Sequence, residues 1–237
     1  QPRSRGLGDV YKRQIPPTTS RFYRILFNSY YNHLSPRDTT TPLPIAEIDL
    51  RGTQLIDDFK AKAAFVRGGL WPAPSSTVPI EITVDKGAVL NLTDRLDKDG
   101  KLDWNAPEGE WTILRIGHTS TGVENHPATP EGKGPEVDKL SRVALKKFWD
   151  EGMISKVIAQ SGPLAGKTLN HAVIDSYEVG SQNWTPAFRE EFQKRCGYDL
   201  LPWLPTLTGR FVGSAEEAER FLWDYRRTIA ELFADNY

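Results

Sequence analysis

The chain has 237 residues, of which 38% are hydrophobic and 26% charged, and its formal net charge is −1 at neutral pH. That length allows one large domain or two small ones, and the near-neutral balance argues against a nucleic-acid footprint. No apolar run approaches the roughly 20 residues that span a bilayer, and a single cysteine, Cys196, excludes an internal disulfide framework.

Residues 1–14 contain Ser4-Arg-Gly-Leu-Gly-Asp-Val-Tyr-Lys-Arg-Gln14, which has neither apolar periodicity nor the apolar core of a signal peptide. They look like a translated sequencing adapter and are set aside. The final segment, from Arg220, reads as an amphipathic helix that stops without a cap, so both ends are expected to be cuts in a longer protein. Residues 15–75 form an irregular segment rich in Pro and aromatic residues. Its Tyr30, Tyr31, Asn32 and His33 suit aromatic packing, with ligand binding as the alternative.

Residues 76–110 alternate in the manner of short strands: Pro79-Ile-Glu-Ile-Thr-Val84, then Val89-Leu-Asn-Leu92, then Lys101-Leu-Asp-Trp104. Asp97-Lys-Asp-Gly100 resembles the start of a calcium loop, but the Gly comes too early and no Glu stands at the twelfth position. Asp99-Gly100 reads instead as a hairpin turn. A small antiparallel β unit is therefore expected here.

From residue 111 to 237 the pattern changes to strand, helix, strand, helix. Residues 111–116 read as a buried strand. Residues 138–160 carry Leu140, Val143, Leu145, Phe148, Ile154, Val157 and Ile158 at helical spacing. Residues 171–178, with Ala172, Val173 and Ile174, read as a second buried strand. Thr185 and Pro186 then suit the cap and first position of a helix that Gly197 stops. Ser214-Ala-Glu-Glu217 is a capping box that opens the last helix. The expected fold class is α/β: part of a (β/α)8 barrel, as a βαβα segment, preceded by the small antiparallel β-rich unit.

A βαβ unit with parallel strands places the loops after both strands on one rim. That geometry gathers His118, Asn125, His126, Glu136 and Asp138 near Asp175, Glu178, Gln182 and Asn183. Paired carboxylates are what glycoside hydrolysis needs, one protonating the leaving oxygen and the other activating water or attacking carbon. Trp184 and Trp104 can supply an apolar face for a sugar ring. The structural alternative has Glu136 capping a helix that starts near Asp138, and Asp175 accepting backbone hydrogen bonds. No G-x-S-x-G elbow, phosphate-binding loop or zinc-binding spacing is present. A hard cation held by Asp, Glu and Asn oxygens remains open on the same rim.

Several motifs also resemble glycoside hydrolase family 106, the α-L-rhamnosidases. They are Trp111-Thr-Ile-Leu-Arg-Ile-Gly-His-Thr-Ser-Thr-Gly122, Asn125-His-Pro127, Gly134-Pro-Glu-Val-Asp-Lys-Leu-Ser141, Asp175-Ser-Tyr-Glu-Val-Gly180, Gln182-Asn-Trp-Thr-Pro186 and Gly197-Tyr-Asp-Leu200. The resemblance implies a (β/α)8 catalytic barrel of which this chain is one flank. It also implies hydrolysis of terminal α-L-rhamnosyl bonds with inversion and calcium assistance, and a bacterial enzyme exported to the periplasm or medium. Its partner would be a rhamnose-containing glycoside, oligosaccharide or polysaccharide.

By that resemblance and the strand-end position, Glu178 is the general acid. The base is Glu136 or a residue beyond Tyr237, and in the latter case Glu136 and Asp138 bind sugar hydroxyls or calcium. Asn125, His126, Asp175, Asn183 and Trp184 are the further substrate-binding candidates. A non-catalytic carbohydrate-binding protein and a barrel glycosidase of different sugar specificity are the competing readings. The chain by itself is expected to be inactive.

Overall fold

The computed structural model describes residues 19–26, 48, 50–66, 78–173 and 180–237. The chain divides into two compact units, one of them Tyr11–Gln54 and the other including Leu55–Tyr237. In the first, residues 20–23 are tied locally: the Ser20 hydroxyl donates to the Phe22 carbonyl at 2.7 Å, and the Ser20 amide to the Tyr23 hydroxyl at 3.1 Å.

The second unit holds every named element. In chain order they are α1 (Phe59–Lys62), β1 (Thr83–Val84), α2 (Arg142–Glu151), α3 (Met153–Ser161), α4 (Phe188–Cys196), β2 (Phe211–Val212) and α5 (Ala215–Asn236). The serine half of the capping box forms as the pattern predicts. Ser214 Oγ accepts from the Glu217 amide at 3.1 Å, satisfying one of the donors left unpaired at a helix start. From there Ala218, Phe221, Leu222, Tyr225, Thr228 and Leu232 recur at steps of three and four and bury one stripe of α5. Helix α4 ends at Gly197, whose φ of 82° is a left-handed conformation that costs glycine little, and the Gly197 amide reaches the Gln193 carbonyl at 2.8 Å.

The core lies between these two helices. Phe188 and Phe192 of α4 meet Tyr225 and Phe221 of α5, with ring centroids 4.9 Å apart for Phe188–Tyr225 and 5.8 Å for Phe192–Phe221. A 3-10 run over Leu201–Thr208 adds Trp203 and Leu207, while Ile56 and Ala63 enter from the segment around α1. Burying each large side chain is worth about 1.5–3 kcal/mol. Lys62 is buried, and its ammonium meets Glu219 at 2.6 Å while Arg226 donates to its carbonyl at 2.7 Å. These contacts tie α1 to α5. Cys196, half-buried, contacts the Thr228 hydroxyl through sulfur at 3.6 Å.

The strands are short. β1 and β2 pair in parallel, Thr83 opposite Phe211 and Val84 opposite Val212. The chain is thus mixed α/β, with a two-stranded parallel sheet among the described residues. The structure departs from several expectations about where the strands lie. Residues 111–116 form no strand, and Trp111, Ile113 and Ile116 are exposed. An extended segment becomes a strand only when a neighbour takes up its amides and carbonyls, and no described segment pairs with this one. Residues 171–173 are likewise irregular, and Val173 is 89% exposed. Residues 174–178 of that expected strand lie outside the described residues, as do Tyr30, Tyr31, Asn32 and His33.

The antiparallel unit contracts to one bridge, Leu96–Leu102, around a turn in which the Gly100 amide donates to the Asp97 carbonyl at 2.9 Å. Residues 80–82 take a 3-10 turn before β1. The helix expected over 138–160 is two helices, α2 and α3, broken at Gly152. A Cβ at Gly152 would collide with the Phe148 carbonyl oxygen, so glycine fits the break. The Ser155 hydroxyl lies 2.5 Å from the Trp149 carbonyl and 2.6 Å from the Asp150 carbonyl, so its one hydrogen can serve either of the carbonyls that the break strands.

Candidate active site

The loop after residue 122 folds back on itself. The Asn125 amide donates to the Gly134 carbonyl at 2.9 Å and the Glu136 amide to the Val123 carbonyl at 3.0 Å, an antiparallel rung pair centred on Glu124 and Pro135. The Asn125 side chain reinforces the same closure: its oxygen accepts from the Gly134 amide at 2.8 Å and its amide donates to the Gly132 carbonyl at 3.0 Å. Asn125 is therefore a loop-builder here. His126 is exposed, with Nδ1 3.2 Å from the Glu124 carbonyl.

This closure delivers residues 136–140 to the segment that precedes α4. Glu136 receives the Lys139 ammonium at 2.6 Å, and both side chains are largely covered. Burial first, and the Glu136 carboxylate second, push the Tyr237 phenol above its usual range, which places the end of α5 beside this pair. Asn236 donates to the Lys139 carbonyl at 3.3 Å. The helix cap is Ser141, whose hydroxyl accepts from the Ala144 amide at 3.2 Å, so Glu136 is not a capping residue.

Asp138 joins the two halves of the site. One oxygen accepts from the Leu140 amide at 3.0 Å and from the Gln182 side-chain amide, and the other from the Thr185 hydroxyl at 2.7 Å. The expected side-chain cap at Thr185 is thus replaced: its hydroxyl serves Asp138, while its carbonyl takes the Phe188 amide at 2.9 Å at the start of α4.

Asn183 is anchored from both ends. Its side-chain amide donates to the Ala63 carbonyl at 3.1 Å, and its own carbonyl accepts from the buried Tyr225 hydroxyl at 2.5 Å. Burial pushes the Tyr225 phenol up, so it remains a donor. Trp184 lies half-buried against Phe188, with ring centroids 5.2 Å apart, and its ring stacks with His118 at 6.2 Å. That contact joins the loop after residue 117 to the segment before α4. Trp104, by contrast, meets Trp111 edge-on at 5.3 Å.

Residues 9–237 match the family model for the alpha-L-rhamnosidases, Glyco_hydro_106. The chain belongs to glycoside hydrolase family 106. A Formosa agariphila protein provisionally named beta-glucuronidase is 41% identical over 230 residues, a span covering 97% of this chain and 19% of that protein. A solved rhamnosidase structure from Novosphingobium sp. PP1Y is similar with a TM-score of 0.63 and 37% identity, over 79% of this chain and 18% of that one. The chain therefore spans about a fifth of the length of both relatives.

In this family-106 chain the structure brings together Asp138, Gln182 and Thr185, joins His118 to Trp184, and seats Asn125 and Glu136 in one folded loop. Asp175 and Glu178 lie outside the described residues. Calcium takes six to eight oxygen ligands; here the Lys139 ammonium sits on one oxygen of Glu136, and N–H and O–H donors take three positions on Asp138. No cluster of three or more His, Cys, Asp and Glu side chains suited to a metal occurs among the described residues. Sequence reasoning missed Lys139, Ala63 and Tyr225. Polar contacts between residues more than 100 positions apart, as from Asn183 to Ala63, have no period to read.

Proposed function

We propose that this chain is one flank of the catalytic barrel of a longer, exported bacterial family-106 enzyme that hydrolyses terminal α-L-rhamnosyl bonds with inversion. The observation that carries this reading is the family match over residues 9–237, supported by likeness to a solved rhamnosidase. Glu178 acts as general acid on the leaving oxygen. The base is Glu136 or a residue elsewhere in the longer protein, held roughly 6.5–9.5 Å from the acid so that water fits between. The Lys139 ammonium engages one oxygen of Glu136 and leaves the other for water, so both choices stand.

His126, Asn125, Asn183, Trp184 and Asp175 border the sugar. Trp184 offers whatever part of its ring His118 and Phe188 leave open. Calcium assistance would draw on the Glu136 oxygen that Lys139 leaves open and on further oxygens of the longer enzyme, with Asp138 able to offer at most one position. No helix among the described residues is long and apolar enough to cross a membrane.

A second reading, glucuronide hydrolysis, draws on the name of the Formosa relative. It differs in one chemical demand: a uronate needs a cation for its carboxylate, where rhamnose presents a methyl group.

The test uses the longer protein with paired aryl rhamnosides and glucuronides. Rhamnoside turnover is expected, and Glu178→Gln should lower it far more for poor leaving groups than for activated ones, which need little protonation. Turnover of the glucuronide alone would overturn the substrate assignment. Equal losses on both classes of leaving group would overturn the acid. Sugar binding without any product would make the chain part of a carbohydrate-binding protein.

A further inference from the structure

Beside the turn at residues 95–103 lies a cleft of about 360 Å3, lined by Arg95, Asp103, Trp104 and Asn105. Small-ligand pockets run from roughly 300 to 1,000 Å3, so this one has room for a single sugar ring. Its frame is set before any ligand arrives. The Asp103 amide donates to the Arg95 carbonyl and the Asp97 amide to the Lys101 carbonyl, each at 2.9 Å. Gly100 closes the turn with a φ of 77°, and the Arg115 guanidinium lies against the place its Cβ would take. The Trp111 indole donates to the Pro107 carbonyl at 3.0 Å, which holds that ring edge-on to Trp104 at 5.3 Å.

The polar lining of this cleft is uncommitted. Arg95, Asp103 and Asn105 are exposed, and their side chains make no hydrogen bond or ion pair with any described residue. The backbones of Arg95 and Asp103 are joined, yet guanidinium and carboxylate do not close on each other. A planar fork of donors, a planar pair of acceptors and an amide that does both therefore open beside a half-buried indole. That set complements a pyranose, whose C–H face suits an apolar ring and whose hydroxyls donate and accept at once. One cation and one anion balance the lining, which suits an uncharged sugar.

We propose that this cleft is a saccharide subsite that takes one uncharged pyranose of the glycan. Trp104 carries the C–H face of the sugar, Asp103 accepts from its hydroxyls, and Arg95 and Asn105 donate to them. The subsite rests on the rhamnosidase reading only for the choice of sugar, a pyranose of the rhamnose-bearing glycan.

The experiment labels the tryptophans of the longer protein with hydroxyl radicals, with and without α-linked rhamnotetraose. Mass spectrometry reads the tryptic peptide 102–115, which holds Trp104 and Trp111. Trp223, 61% exposed, is the control for scavenging of radicals by the sugar. The tetrasaccharide should protect peptide 102–115 at millimolar concentration or below. Asp103→Ala and Arg95→Ala each remove a hydrogen bond to a charged group and should raise the midpoint on the order of 10-fold. Arg95→Lys, which keeps the charge and loses the planar fork, should also bind weakly, whereas Asp103→Asn, which keeps an acceptor, should lose less. A peptide that the sugar leaves unprotected, that is already unreactive in the free protein, or whose protection survives both alanine variants would overturn the subsite. Turnover of an aryl rhamnoside is measured beside it. Turnover without protection removes the subsite alone, and protection without turnover removes the rhamnosidase reading alone.

Discussion

Replacing Tyr225 by Phe tests whether the core directly holds the segment before α4. Tyr225 is 1% exposed and its hydroxyl donates to the Asn183 carbonyl at 2.5 Å. Phenylalanine keeps the ring, with its contacts to Phe188 at 4.9 Å and Phe221 at 5.9 Å, so no cavity opens. What is lost is one hydrogen bond, and one carbonyl loses a partner. A made bond contributes about 0.5–1.5 kcal/mol net, and a stranded buried group costs about 1–3 kcal/mol. Asn183 is half-buried, so water can recover part of the loss, and the expected change is about 1–2 kcal/mol. For a protein of this size that corresponds to roughly 2–8 °C in Tm. Urea unfolding followed by far-UV circular dichroism measures it, with an unchanged m-value as the check that compactness is untouched.

The pH dependence has a definite sign. Burial raises the folded-state pKa of Tyr225 above its unfolded value. The stability tied to the neutral phenol is therefore complete below an unfolded pKa of about 10 and declines as the pH rises past it. The Phe variant has no such group, so the gap between the two proteins should be constant from neutral pH to about pH 9 and narrow above pH 10. A difference below about 0.5 kcal/mol at neutral pH, or a gap that widens in alkali, would refute the coupling.

Two further outcomes concern the frame around the site. Ser214→Ala should destabilise the chain by about 1 kcal/mol through loss of the α5 cap, with Ser214→Gly costing less, as read by thermal unfolding. The Arg189 guanidinium grips Asp199 at 3.0 and 2.8 Å and holds its carboxyl below the usual carboxylate range. Stability from that pair is present above about pH 4 and is lost as the pH falls through the lowered pKa. Arg189 is exposed and Asp199 partly so, and solvent screening limits the cost of Asp199→Asn to at most about 1 kcal/mol at neutral pH. Unfolding curves of the two proteins should converge as the pH falls through that lowered pKa, where the wild-type carboxyl loses its charge.

The helical parts of the fold were legible because their signals are local. Ser214 with Glu217, Gly197 after α4, and the stripe from Ala218 to Leu232 each act within a turn or two, and they behave as their patterns predict. Strands are different: residues 111–116 have the composition of a buried strand, but composition does not supply a partner. The pairing that does occur, Thr83–Val84 beside Phe211–Val212, joins residues 128 positions apart and left no trace in the pattern. Gly152 was visible in the sequence, and its effect depended on a collision with the Phe148 carbonyl that only the folded helix presents.

The acidic residues of the site show the same division at a finer scale. Glu136 and Asp138 are equivalent in a sequence pattern, since both are carboxylates at the end of a loop that precedes a helix. Their donors separate them: Glu136 has a lysine, which balances its charge, while Asp138 has an amide, a hydroxyl and a backbone N–H, which take three of its roughly four lone-pair positions. A carboxylate that performs acid–base chemistry must exchange a proton with substrate or water, so it needs an oxygen that the protein leaves open. Asp138 meets that demand poorly, since three of its positions are filled by donors that hold backbone segments together, whereas the Lys139 contact on Glu136 falls on one oxygen, Oε2. Asp138 is thus better explained as part of the frame around the site than as a reactant, while Glu136 keeps an oxygen outside its ion pair.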